Sequence, residues 1–367
     1  MKRLISLVLI LVSAVGVLVG CNSSKYPARK STKEESRVVM TLSLDGKRYE
    51  VKYELYRALF LANKSKIDGG DDTVWSSDNK NEYIDKINEK IIAEAADIYS
   101  ALHLAEKLGL DVYSKDADKE IDEYIALSVE GNGADIIGYG GDYDAYLSDL
   151  AKRGINYSVQ NLIFRYSLAL NKINEYYLGY EDEALGEIDG EYSFDEEDVR
   201  DFYFGDDSVR VLQAYVQADV VTDAEERITS IREAISTLSP KEAALYIINH
   251  TSAVASDLIV DKEVSGIVFG SSTLGHAYAD YSEAAFALSA GEASEVIEIN
   301  DSTRGYYVLY GLDKDEAHFT ACYEYIKGAY LDNLIGSELE KISDSLAGSA
   351  DKSSAYADII HKEIRAN

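Results

Sequence analysis

The chain has 367 residues, of which 46% are hydrophobic and 10% aromatic, so it can build a packed core and is not a disordered polymer. Its length suits roughly two domains of ordinary size. The formal net charge of −30 argues against nucleic acid as a partner, because phosphate binding needs clustered lysine and arginine.

The first 21 residues have the pattern of an export signal. Lys2 and Arg3 give a positive start, and residues 4–19 are apolar but too short to span a membrane comfortably. The segment ends in Leu-Val-Gly-Cys, which resembles the lipobox of bacterial lipoproteins. The resemblance implies that Cys21 receives a diacylglycerol, and that the protein is anchored outside the cytoplasm on the bacterial cell membrane. The alternative is an ordinary cleaved signal that happens to contain a cysteine.

Residues 22–38 are polar and are predicted to form a flexible tether. The segment is basic, and its charged side chains could face anionic lipid head groups, although a solvated spacer is an equal alternative. These basic residues are Lys25, Arg29, Lys30, Lys33 and Arg37.

Residues 39–200 are predicted to form a helical domain that begins with a hairpin. The alternating apolar pattern of residues 39–51 surrounds Asp45-Gly46, a favoured two-residue turn. Apolar residues then recur at steps of three and four, which predicts a succession of amphipathic helices. The predicted helices include 82–108, 114–129, 142–153 and 158–178. A hairpin followed by helices, with Ala-Glu-Lys-Leu-Gly-Leu-Asp-Val at 105–112, resembles the N-terminal chaperone domain of the PrsA and SurA foldases.

Residues 180–198 are rich in aspartate and glutamate and contain no lysine or arginine. The composition predicts a solvated connector between domains. Calcium binding is the alternative, but the segment lacks the ligand spacing and glycine of an EF-hand loop.

Residues 205–313 resemble a parvulin-type peptidyl-prolyl isomerase domain. The resemblance is carried by Ala-Ala-Phe-Ala-Leu-Ser-Ala-Gly-Glu-Ala-Ser-Glu-Val-Ile at 284–297 and by Gly-Tyr-Tyr-Val-Leu at 305–309. The predicted order of elements is also that of the family: a strand, helices, a strand, a helix and two strands. Residues 194–203 are similar to the short helix that precedes such a domain.

Both histidines of the family's site are replaced in this chain. The first strand of the family usually reads Arg-Ala-Ser-His-Ile-Leu, and Gln213 takes the place of its histidine. The last strand usually carries a second histidine after Gly-Tyr, and Tyr307 takes that place. The resemblance therefore implies an isomerase site that is degenerate, with Gln213 and Tyr307 at the catalytic positions.

The prolyl pocket of the family is commonly lined by a methionine and two phenylalanines. Ala277 stands where the methionine is expected and Tyr281 where one phenylalanine is, while Phe286 is retained. Phe269 is expected to line the same pocket. For Phe269, Tyr281 and Phe286 the alternative is ordinary core packing.

Residues 314–367 are predicted to contain a long amphipathic helix and a polar tail. In PrsA-like and SurA-like proteins the chain returns after the isomerase domain to complete the chaperone domain, and the same is expected here. The predicted fold class is α+β, with a helical PrsA/SurA-like domain, a parvulin-like domain and this returning helix.

Other chemistries find little support in the sequence. The five histidines are scattered without metal-ligand spacing, so neither a metal nor a cofactor is expected. No phosphate-binding loop, dinucleotide fingerprint or nucleophile elbow is present. Cys322 lies among apolar helical residues and is interpreted as a small buried hydrophobe.

The sequence therefore predicts a membrane-anchored extracytoplasmic foldase or chaperone that binds unfolded secreted polypeptides, with weakened or lost isomerase activity. An active peptidyl-prolyl isomerase is one alternative. A non-enzymatic scaffold lipoprotein with one fixed partner is the other.

Overall fold

A computed structural model describes residues 25–132, 138–182, 186–218, 221–252, 259–260, 263–273, 278–300 and 304–353. The chain mixes helices and strands, so the predicted α+β class is confirmed. It divides into two compact units, one of the described residues up to Glu191 together with those from Leu339 onward, and one of Tyr192–Glu338. The domain boundaries given above stay a prediction. Within the described residues no helix is long and apolar enough to cross a membrane.

The first unit opens with the predicted hairpin. Strands β1 (Val38–Leu44) and β2 (Lys47–Lys52) pair antiparallel around Asp45 and Gly46, whose φ angles are 52° and 77°. Positive φ at both central residues is what a tight hairpin turn needs, and aspartate followed by glycine tolerates it. The remaining strand of this sheet, Asp351–Lys352, comes from the far end of the chain.

Before residue 179, the described residues of this unit also form five α-helices and one short 3-10 helix. They are α1 (Tyr53–Asp68), the 3-10 helix (Asp72–Ser76), α2 (Lys80–Lys107), α3 (Lys115–Glu130), α4 (Tyr143–Lys152) and α5 (Tyr157–Leu178). Helix α2 packs against α1 and α5. Side chains of Ser114, Asp142 and Asn156 accept hydrogen bonds from the first turns of α3, α4 and α5, which fixes where these helices begin.

The structure differs from the sequence prediction in two segments of this unit. The predicted acidic connector contains an antiparallel pair, β3 (Gly179–Asp182) and β4 (Gly186–Asp189), because strand pairing uses backbone groups and a charged composition does not prevent it. Residues 25–38, predicted as a tether, pack against the helices, and Tyr26 is only 5% exposed. Residues 22–24 lie outside the described part of the chain.

The second unit has the order of elements predicted for a parvulin-like domain. Its elements are α6 (Glu196–Phe204), β5 (Ser208–Gln217), α7 (Ala224–Ile235), α8 (Pro240–His250), β6 (Ile259–Val260), β7 (Glu263–Val264), β8 (Ile267–Gly270), α9 (Ala279–Phe286), β9 (Ile297–Asn300), β10 (Arg304–Gly311) and α10 (Glu316–Ala321). Four of the strands form one antiparallel sheet in the order β8-β5-β10-β9. The first strand and the last strand are thus central and adjacent.

One face of this sheet is covered by α7 and α8. Leu212, Ala214 and Val216 alternate along β5 and pack with Val308 and Tyr310 of β10 into a buried cluster. Helix α7 contributes an apolar stripe to the same cluster, and α8 adds small and branched side chains. The alternate residues of β5, including Gln213 and Tyr215, lie on the opposite face of the sheet.

Helix α11 (Tyr323–Gly348), the last helix within the described residues, carries the chain from the second unit into the first. Beyond it, β11 (Asp351–Lys352) pairs antiparallel with β1, which completes the sheet order β11-β1-β2. Near the end of α11 the hydroxyl of Ser343 donates to Asp97 Oδ1 of α2 at 2.7 Å. The predicted return of the C-terminal helix to the helical unit is therefore confirmed.

Candidate functional site

The pairing of β5 with β10 places the two motif positions on one face of the sheet. Tyr307 lies opposite Tyr215, and Leu309 lies opposite Gln213. Because alternate residues of a strand share a face, Gln213 and Tyr215 point the same way, together with Tyr307 and Leu309. Gln213 and Tyr307 are therefore diagonal neighbours on adjacent central strands.

Helix α9 lies over this face and inserts Tyr281 between the two motif positions. The Tyr281 hydroxyl donates to Gln213 Oε1 at 2.5 Å. Its ring stands nearly perpendicular to that of Tyr307, at 88° with 5.7 Å between centroids. Tyr281 is 5% exposed, and burial raises the pKa of its hydroxyl, so this group stays protonated.

Two phenylalanines extend the cluster toward the edge strand. Phe269 of β8 is 3% exposed, and its ring centroid lies 5.8 Å from that of Tyr281. Phe286, in the last turn of α9, meets Phe269 edge to face at 6.1 Å and 81°. Phe286 is half-buried, so its ring is more accessible than those of Phe269 and Tyr281.

Tyr215 is a member of this cluster that the sequence analysis missed. Its ring lies 4.6 Å from that of Tyr307, with 34° between the planes, and it also covers Gly305. A Cβ at position 305 would come within 2.0 Å of the Tyr215 ring, so any larger residue there would require that ring to move. The signal was in the sequence, because Tyr215 follows Gln213 by two residues and must share its face.

The Gly-Glu turn after α9 fixes the helix to β10. The helix ends at Phe286, and Gly291 follows with φ 84°. The Gly291 N–H donates to the Gly311 carbonyl, and the Gly311 N–H donates to the Glu292 carbonyl, both at 2.9 Å. These reciprocal bonds position the segment that carries Tyr281 and Phe286.

The structure brings together five of the seven residues that the sequence singled out for chemistry. Gln213, Tyr307, Phe269, Tyr281 and Phe286 form one aromatic cluster with Tyr215, here called the aromatic face. The two others, Ala277 in the predicted pocket and Cys21 at the predicted lipidation site, lie outside the described residues. The assignment of these positions as a prolyl pocket stays a prediction.

The chemistry of the aromatic face is that of apolar contact with a few neutral polar groups. Its polar atoms are phenol hydroxyls and one side-chain amide, none of which changes charge near neutral pH. Such a surface suits an apolar or prolyl side chain of a polypeptide better than an ionic substrate. Within the described residues no group of three histidine, cysteine, aspartate or glutamate side chains could hold a metal ion.

The described fold combines a helical unit with a unit whose elements follow the order predicted for a parvulin-like domain. No protein-family model matches the chain, and no curated protein does. Among solved structures, the foldase PrsA of Streptococcus pneumoniae matches at 16% identity over 89% of this chain and 92% of that one, with a TM-score of 0.31.

Two further PrsA structures match in the same way. The Lactococcus lactis protein is 15% identical, with 89% of this chain and 99% of that one covered and a TM-score of 0.22. The Bacillus subtilis protein is 15% identical, with 77% and 93% covered and a TM-score of 0.23. The chain is similar to these foldases at low identity.

Proposed function

We propose that this protein is a lipid-anchored extracytoplasmic foldase that binds unfolded secreted polypeptides, with little or no isomerase activity of its own. The export signal and lipobox support the location. The parvulin-like order of elements supports the class, and the convergence of five motif positions on one face supports a peptide-binding site there.

The observation that carries the proposal is the hydrogen bond between Tyr281 and Gln213. An isomerase must lower a barrier of roughly 18–20 kcal/mol by favouring the twisted amide over the planar one. Here the hydroxyl of a buried tyrosine already occupies the acceptor at the first motif position. Because neither motif position is a histidine, no side chain there titrates near neutral pH. The face keeps its apolar rings, while the Gln213 carboxamide oxygen and the Tyr281 hydroxyl are hydrogen-bonded to each other.

One feature favours the alternative of an active isomerase. Phe286 is half-buried, and Gln213 and Tyr215 are also partly accessible. An apolar ring beside a side-chain amide is a minimal site for a prolyl residue.

The proposal predicts that the chain without residues 1–21 does not accelerate cis-trans exchange of a proline-containing peptide. Exchange NMR at high protein concentration measures this rate directly, since uncatalysed exchange takes tens to hundreds of seconds. Line broadening or shift changes of the peptide, without faster exchange, are the expected signs of binding.

Two matched variants test whether peptide binding or faster exchange depends on the aromatic face. Phe286→Ala removes a ring of the aromatic face, whereas Leu245→Ala removes an apolar side chain of α8 that is 48% exposed. Binding is expected to weaken only in Phe286→Ala. Faster exchange in the wild type that disappears in Phe286→Ala and persists in Leu245→Ala would establish the active isomerase instead.

A further inference from the structure

The segment after the predicted lipidation site, residues 25–37, is attached to the helical unit and is here called the N-terminal strap. At its start, Lys25 Nζ and the Tyr26 hydroxyl both donate to Glu130 Oε1 at the end of α3, at 2.7 and 2.9 Å. These two bonds lower the pKa of the Glu130 carboxyl. The Tyr26 ring is 5% exposed and lies 5.2 Å from the ring of Tyr143, at the start of α4.

Further contacts hold the middle of the strap against α4. Arg29 Nη2 lies 3.0 Å from Asp144 Oδ1, and the guanidinium sits 5.9 Å from the centre of the Tyr143 ring. The Tyr143 hydroxyl donates to the Pro27 carbonyl at 3.0 Å. A buried tyrosine ring between these polar contacts distinguishes the strap from a solvated spacer.

The end of the strap is bound at a separate place. Glu35 accepts from the Thr32 N–H at 2.6 Å and from Asn156 Nδ2, before α5, at 3.3 Å. The Arg37 carbonyl then accepts from the N–H of Tyr53, the first residue of α1. The strap therefore contacts α3, α4 and the beginnings of α5 and α1.

The distance from the strap to the lipid attachment point is short. Only four residue steps separate Cys21 from Lys25, which span at most about 14 Å even when fully extended. A free tether up to residue 38 would have 17 steps and could reach about 60 Å. Attachment of the strap therefore removes most of the reach that the sequence length suggests.

We infer that the strap holds the C-terminal end of α3 and the N-terminal end of α4 against the phospholipid head groups, so that this end of the helical unit is its membrane-facing surface. The inference rests on the proposed lipidation of Cys21. It turns the predicted flexible tether into a fixed spacer that sets which face of the helical unit looks toward the membrane.

The charges of the strap fit a head-group surface. Glu130 and Asp144 would repel anionic lipids, and Lys25 and Arg29 neutralise them. The chain as a whole carries a net charge of −30, so most of its surface is repelled by such a bilayer. At this end of the helical unit, two basic side chains of the strap neutralise two of the acidic ones.

Fluorescence energy transfer from the protein to a head-group dye tests the inference. The full chain with Cys322→Ser is lipidated in cells, its mass is checked for the lipid on Cys21, and it is reconstituted into vesicles containing anionic lipid. A donor is placed on Ala145→Cys near the strap, or on Lys115→Cys at the other end of α3. Both positions are exposed.

The label at position 145 is expected to lie closer to the head groups than the label at position 115, by up to about 20 Å, the length of α3. Tyr26→Ser/Arg29→Ser releases the start of the strap, which lengthens the free chain between Cys21 and the helical unit, so the difference should shrink. The matched control is Lys30→Ser/Lys33→Ser, which changes exposed basic residues of the strap that make no ion pair within the described residues. This control should keep the difference in head-group distance between the two labels.

Equal distances for the two labels in the wild-type strap would overturn the inference, and this comparison decides it even if the double variant does not fold. A difference that persists unchanged in Tyr26→Ser/Arg29→Ser would overturn it too. A chain whose mass shows no lipid on Cys21 would instead remove the anchor from the proposed function. Binding of unfolded polypeptides by the soluble chain is a separate measurement that neither result affects.

Discussion

Replacing Arg210 with methionine is expected to destabilise the second unit by about 2–3 kcal/mol, because it leaves the buried Ser265 carbonyl and three part-buried oxygen atoms without this donor. Arg210 is 7% exposed. Its Nε donates to the Ser265 carbonyl at 2.9 Å, and Nη1 donates to the Asp313 carbonyl at 2.7 Å and to Asp315 Oδ2 at 3.0 Å. Nη2 donates to the Val264 carbonyl. One side chain thus joins β5 to the segment before β8 and to the segment after β10.

Arg200→Met is the matched control. Arg200 pairs with Glu316 on the surface, where the two side chains are 41% and 64% exposed, and removing it should cost about 1 kcal/mol or less. Hydrogen exchange of the β5 and β10 amides measures both losses within the second unit. Equal losses in the two variants would mean that the buried guanidinium contributes no more than a surface pair.

Acidification from pH 7.5 to 4.5 is expected to cost the second unit about 2–3 kcal/mol through His318 alone. This side chain of α10 is 6% exposed, and its Nδ1 lies 2.9 Å from the Tyr203 hydroxyl. Its Nε2 is buried and has no hydrogen-bond partner within the described residues. Burial, together with the positive charge of Arg210, lowers the pKa of His318 to about 4, against the opposing effects of Asp315 and the Ser265 backbone.

The folded and unfolded states bind protons at His318 over different pH ranges. Unfolded histidine has a pKa near 6.5, so between pH 6.5 and 4 the unfolded chain binds a proton that the folded chain does not. Stability is therefore full above pH 6.5 and falls as the pH decreases toward 4. The lowered pKa of Asp315 also removes stability in acid, so the His318 contribution must be isolated by difference.

His318→Gln isolates it, because a glutamine side chain can either donate to or accept from the Tyr203 hydroxyl and does not titrate. The free energy of unfolding should fall less between pH 7.5 and 4.5 in His318→Gln than in the wild type, by about 2–3 kcal/mol. Urea unfolding at the two pH values measures the difference. The same pH dependence in both proteins would show that His318 does not resist protonation in the folded state.

Local patterns predicted much of this fold. The Asp45-Gly46 turn defines the first hairpin, because few other residue pairs accept positive φ at both positions. Helix α7 follows from its apolar spacing, and the motif at 284–297 indicated both the class of the second unit and the region of its site. These features depend on residues close together in the chain, where spacing determines geometry.

The contacts between distant residues could not be read from spacing. The partner of Gln213 is Tyr281, which depends on how α9 crosses the sheet. Burial of Tyr26 depends on α3 and α4, more than one hundred residues away in the chain. A polar composition predicted a mobile tether there, although one aromatic ring and two ion pairs are enough to hold the segment in place.

The central claim is that the protein binds unfolded polypeptides, and suppression of aggregation tests it most directly. A chemically denatured single-domain protein is diluted into buffer with or without the chain lacking residues 1–21, and light scattering is followed. Aggregation is expected to be slower when the chain is present at a stoichiometric amount, and Phe286→Ala is expected to slow it less than Leu245→Ala does. Unchanged aggregation, together with no binding to the unfolded chain, would contradict it and favour a scaffold lipoprotein with one fixed partner.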